Sequence, residues 1–177
     1  MNPPRPLAHL LEKQIRHRYR ALDRALSAGV GPFESEFRLG GRPTIAWHAR
    51  HIGEAIESTR HAVFGDSPCH APGDSGAEGD LAAPAGEPSQ TGTAPWPSPW
   101  NRLREAVLEA ATAMASRLAD ATDDELSMPP RVPILPAFKA SLGTRLAFLE
   151  GHIYHVTYHV GSIAVLRAEM GLDDGRT

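Results

Sequence analysis

Four stretches of the chain repeat their apolar residues at helical spacing, and no segment sustains the alternation of a half-buried strand. The first runs from about Pro6 to Ala28, with Leu7, Leu11, Ile15, Leu22 and Leu26 on one face and Gly29 ending it. Its other face carries Lys13, Arg16, Arg20 and Arg24, offset in part by Glu12 and Asp23, the pattern of a solvated helix face. After a connection from Val30 to Pro43, Thr44 is placed to N-cap a second helix that ends near Phe64, with Gly65 just beyond it. Ile45, Ile52, Ala55, Ile56, Thr59 and Val63 share one arc of that helix. The third spans Pro99 to about Ala121, with Ser98 as N-cap, Pro99 in the first turn, and Leu103, Val107, Ala110, Met114 and Leu118 facing inward. Thr122-Asp123-Asp124-Glu125 then spells a capping box for a short extra turn that Pro129 and Pro130 stop. The last helix runs from about Ala137 or Ser141 to Met170 and is closed by Gly171. Four amphipathic helices without a strand predict an all-α fold, a four-helix bundle.

At 177 residues and 41% hydrophobic, the chain is expected to form a single domain over residues 1–177. Its 16 glycines and 16 prolines would suggest a loop-rich protein, but many of them crowd between Gly65 and Pro99. Residues 66–97 hold almost no large aliphatic side chain apart from Leu81. They read as a flexible, low-complexity insertion, the long Pro/Gly-rich connection between the second and third helices. The Trp96-Pro97-Ser98-Pro99-Trp100 segment could serve a partner as a polyproline ligand, although a helix start explains most of it.

A net charge of -3 argues against a nucleic-acid binder, which needs clustered, uncompensated Lys and Arg. With Cys69 as the only cysteine, neither a disulfide framework nor a Cys-based zinc site is available. No run approaches the eighteen or so apolar residues that span a bilayer, so a soluble, cytoplasmic protein with no membrane partner is expected.

The histidines carry the chemistry. Six of the nine fall in the second and last helices. Taking His155 as the zero of the helical wheel, His152 and His159 lie within about 60° of it and border the apolar arc, so all three point into the bundle or its mouth. His155 and His159, at i and i+4, can converge on one cation. That spacing alone is weak, but a third imidazole from the second helix, His48 or His51, would complete a three-nitrogen set with positions left for water or substrate. Rival chemistries lack their motifs: Glu-x-x-His, His-Glu-x-x-His, a Gly-x-Ser-x-Gly elbow and a phosphate-binding glycine loop do not occur.

Two segments resemble the DinB/YfiT-like superfamily of bacterial helical metalloproteins: Trp47-His48-Ala49-Arg50-His51-Ile52-Gly53-Glu54, and His155-Val156-Thr157-Tyr158-His159-Val160-Gly161-Ser162-Ile163 followed by Leu166-Arg167 and Gly171. The resemblance implies a metal site of His51, His155 and His159, since the family's ligand in the second helix is the histidine followed by an apolar residue. It covers nearly the whole chain outside residues 66–97. Two features depart from the pattern. His159-Val160-Gly161-Ser162 stands where the family usually has His-x-Gly-Gln, and the insertion after the second helix is longer than usual. His48 and His152 are assigned to the surroundings of the site, Tyr158 and Glu54 flank it, Tyr19 is a core candidate, and His61 and His70 are placed on the surface.

The expected function is that of a metal-dependent enzyme. A divalent ion on the three histidines, zinc or nickel with iron as the alternative, activates a water or a small thiol against a small-molecule substrate. The resemblance adds thiol S-transferase and isomerase chemistry with low-molecular-weight thiols, the iron-site half of sulfoxide synthases, and a homodimer. The competing expectation is a non-catalytic bundle that binds metal structurally, or that acts through dimerisation or a partner at Trp96 and Trp100.

Overall fold

Helix boundaries in this chain follow its capping chemistry. The computed structural model describes residues 5–68, 96–133 and 141–172. Among these residues there are six helices and no strand: α1 (Pro6–Ser27), α2 (Pro32–Glu36), α3 (Ile45–Phe64), α4 (Trp100–Asp120), α5 (Asp123–Ser127) and α6 (Arg145–Glu169). Most of the expected insertion, residues 69–95, lies outside the described residues, as do Cys69, His70, Leu81 and the Ala137 start considered for the last helix. No helix among the described residues is long and apolar enough to cross a membrane.

α1 begins on Pro6 and buries Leu11, Ile15, Leu22 and Leu26 as the spacing predicts, while its basic residues Lys13, Arg16, Arg20 and Arg24 stay exposed. The Arg16 guanidinium is held by Glu12 at 2.8 Å. α3 starts where Thr44 Oγ1 accepts the Trp47 N–H at 3.1 Å, and ends at Gly65, whose φ of 79° is the left-handed conformation glycine tolerates. The Thr122 capping box forms in both directions, with Glu125 N–H donating to Thr122 Oγ1 at 3.2 Å and Thr122 N–H to Glu125 Oε2 at 3.1 Å.

Three local expectations are corrected. α2 lies inside the segment expected to be a plain connection. Pro32 in its first turn and Glu34, whose Oε2 accepts the Gly31 N–H at 3.0 Å, are the start signals the apolar pattern did not reveal. Pro99 rather than Ser98 caps α4, its carbonyl accepting the Leu103 N–H at 2.9 Å. The last helix begins at Arg145, where Thr144 Oγ1 accepts the Ala147 N–H at 3.1 Å, so the chain before Thr144 is not helical over Ser141 to Gly143.

α1 packs against α4 and α6, and α3 packs against the same two, so each long helix closes one core with two others. Leu22, Leu26, Ile52, Ile56, Leu103, Leu118 and Ile163 are fully buried there. Trp96 and Trp100 belong to this core at 6% exposure each, and the Trp100 indole N–H donates to the Val30 carbonyl at 2.8 Å. Both rings are thus taken up by the chain's own core, as a helix start at this segment requires. Gly53 explains how Trp96 fits: a Cβ at Gly53 would lie 2.4 Å from the indole ring, so only glycine lets the ring lie on α3.

Candidate metal centre

α3 and α6 lie side by side and carry the histidines on facing turns. On α6, His152, His155 and His159 occupy three successive turns along the inner edge, with His152 and His159 buried and His155 half-buried. On α3, His51 is half-buried and His48 buried.

One nitrogen from each of His51, His155 and His159 lies within 4.8 Å of the others, a group that could hold a metal ion. His155 Nε2 is 3.1 Å from His51 Nε2 and 2.8 Å from His159 Nε2. Two nitrogens bound about 2.0–2.1 Å from one zinc ion would be about 2.9 Å apart at a right angle and about 3.4 Å apart at the tetrahedral angle. The two separations made by His155, 3.1 and 2.8 Å, fall at or near those values. The donor set therefore fits a divalent ion of the borderline-soft kind that imidazole suits.

The electrostatics agree with the geometry. Burial, reinforced by the charge His51 would carry, lowers the His155 pKa to about 4. Burial lowers that of His159 to about 3, with smaller contributions from His155, His51 and His48. His51 is also lowered by burial. All three rings are held neutral at neutral pH, the form that coordinates metal. No carboxylate belongs to the group, so nothing in it cancels the charge of a bound cation.

The surroundings divide into two polar contacts and an aromatic wall. His48 Nδ1 is 2.8 Å from His159 Nδ1, so His48 stands behind His159 and contacts its other ring nitrogen. His152 is turned away: its Nε2 meets Tyr19 Oη at 2.9 Å and its Nδ1 meets Thr59 Oγ1 at 3.2 Å, which occupies both ring nitrogens in the core. Trp47, to which the sequence reading gave no role, stacks on His51 with ring centres 4.9 Å apart and planes 16° from parallel. Tyr158 is largely exposed, yet its ring meets His159 edge-on at 5.1 Å. Tyr19 is buried in the core, and His61 is exposed at the end of α3 with Nδ1 3.0 Å from the Asp66 carbonyl. A helical wheel places His48 and Trp47 near His51, but only the packing of α3 on α6 reveals what each ring touches.

A family model described as the DinB superfamily matches residues 7–163, which takes in both histidine segments. Neither the curated proteins nor the solved structures provide a match to the chain.

Proposed function

The chain belongs to the DinB superfamily, and from that premise we propose that it is a metal-dependent enzyme whose four long helices form a DinB-like bundle around a site of His51, His155 and His159. The observation that supports this reading is the convergence of three Nε2 atoms from two helices, at 3.1 and 2.8 Å along the chain of rings. A divalent ion, zinc or nickel with iron as the alternative, would supply Lewis acidity there and bring a bound water or small thiol towards ionisation near neutral pH. The protein's own part is positional. The stacked Trp47 indole holds the plane of His51, and His48 fixes the tautomer of His159. Three nitrogen ligands leave room for a further ligand, the arrangement of a site that works on a small molecule rather than one closed for structure. Hydrolysis and thiol S-transfer both fit that arrangement. Neutral rings need shed no net proton to bind the ion, so binding is expected to persist well below neutral pH.

Metal analysis of the purified chain, before and after incubation with zinc, nickel or iron, tests the reading against His51→Ala and His155→Ala. The expected result is about one ion per chain in the wild type and loss of that ion in both variants, with helix content and melting of the metal-free forms unchanged. A wild type that retains none of the three metals would remove the proposal. Metal-dependent folding would point instead to the second reading, a structural metal site without catalysis.

A further inference from the structure

α1 gathers positive charge that the rest of the chain does not share. Between Pro6 and Ser27 it holds Lys13, Arg16, Arg18, Arg20 and Arg24 against only Glu12 and Asp23, in a chain whose net charge is -3. Both acids have partners of their own. Glu12 holds Arg16 at 2.8 Å, while Asp23 accepts from Ser27 Oγ at 2.9 Å and lies 3.8 Å from Arg104 of α4. Among the described residues no ion pair reaches Lys13 or Arg18.

These two cations border a groove. It lies between α1 and α6, has a volume of about 320 Å³ and is lined by Lys13, Gln14, His17, Arg18 and Ile153. Half-buried Ile153 is its apolar surface, and every other lining side chain can donate a hydrogen bond. No acid lines it. α6 contains no Asp or Glu from Gly151 to Leu166, and Glu150, just ahead of that stretch, is exposed and pairs with neither cation among the described residues. The groove is also held in shape. Tyr19, next to Arg18, and His152, next to Ile153, meet through Tyr19 Oη and His152 Nε2 at 2.9 Å in the core. That buried contact pins α1 to α6 at the level of the groove, so its two sides keep their spacing and binding needs little reordering of the backbone.

We propose that this groove binds a small phosphate monoester with an apolar organic group. Two permanent cations on one cavity match a dianion, which a phosphate monoester approaches at neutral pH and a carboxylate does not. Arg18 offers a fork to two phosphate oxygens, Lys13 a mobile point charge, and Gln14 and His17 further N–H donors. Arg20 and Arg24, exposed further along α1, add to the local positive potential. The organic group then lies on Ile153, and a volume at the lower end of ligand cavities keeps it small. The site is independent of the metal reading. Ile153 lies about 160° round α6 from His155, which puts the groove on the other side of that helix from the three-histidine cluster.

Phenyl phosphate titrated into the metal-free full chain, followed by proton–nitrogen correlation NMR, tests the proposal. Saturable shifts are expected from Lys13 to Arg18 and at Ile153, with His51 and His155 unmoved. Lys13→Gln and Arg18→Gln should each raise Kd about tenfold, and benzoate, which carries a single charge on the same ring, should bind about tenfold more weakly. Arg24→Gln removes a charge from the same helix outside the groove and should change Kd by less than about twofold. Each substituted side chain reaches solvent, so the variants are expected to fold as the wild type does, which circular dichroism checks. Absence of saturation by about 10 mM phenyl phosphate, shifts centred on His51 and His155, an Arg24→Gln loss equal to that of Arg18→Gln, or benzoate binding as tightly as phenyl phosphate would each overturn it.

Discussion

His48 and His159 share a single proton across 2.8 Å, because a contact between two Nδ1 atoms needs one donor and one acceptor. If His159 coordinates through Nε2, its proton must sit on Nδ1, and His48 Nδ1 is the acceptor that keeps it there. Removing the acceptor leaves a buried N–H unpaired next to a ligand. His48→Ala is therefore expected to weaken zinc binding by about 10- to 100-fold, while His48→Asn, whose Oδ1 occupies the place of Nδ1, recovers much of the loss. Competition against a chromophoric chelator measures both. Equal losses in the two variants would show that His48 only fills space. Helical spacing left His48 and His51 as alternatives, and the family resemblance singled out His51. Both lie near the same edge of α3 and both reach α6, but His51 Nε2 meets the Nε2 side of His155 at 3.1 Å, whereas His48 Nδ1 meets the opposite nitrogen, Nδ1, of His159 at 2.8 Å.

At the scale of elements, the helix ends are tied to one another. α1 has no capping side chain at its own N-cap, Arg5, yet the Asp123 carboxylate of α5 accepts the Leu7 N–H at 3.3 Å and the Ala8 N–H at 2.9 Å. The capping box that Thr122 and Glu125 form thus aims the next residue's carboxylate at the positive end of another helix. Asp123→Ala is expected to destabilise the protein by about 1–2 kcal/mol through two amides losing their acceptor, and Asp123→Asn by less. Urea midpoints would show the order, and an Asp123→Ala variant as stable as the wild type would mean that solvent caps α1 equally well. The sequence predicted the capping box because its four residues are adjacent. It did not predict the tertiary cap, because residues 7 and 123 are neighbours only after α1 and α5 have packed.

For the whole molecule, the buried histidines set the response to acid. Desolvation, with a smaller contribution from a charge on His155, lowers the His152 pKa from 6.5 to about 3. Between those values the unfolded chain binds the proton and the folded chain does not, so stability falls as pH is lowered through that window. The contribution is intact above pH 6.5 and is lost progressively towards pH 3. His48, at about 4 through burial and then the charge of His51, acts in the same direction. Each such group adds a slope of up to about 1.4 kcal/mol per pH unit. The metal-free protein should therefore lose urea resistance steeply from pH 6.5 down, and His152→Gln should flatten that slope. A slope that His152→Gln leaves unchanged would place the acid sensitivity elsewhere.

Spacing and capping residues alone determined that the chain forms α1, α3, α4, α5 and α6, because helix signals act over one or two turns. They also placed His155 and His159 one turn apart on the same face. Tertiary packing decided the rest: which ring nitrogens of His48 and His51 meet that pair, that His152 binds Tyr19 and Thr59 in the core, and that Trp96 lies on Gly53. These depend on the rotation and offset of one helix against another, which are settled by side chains far apart in sequence competing for the same buried space.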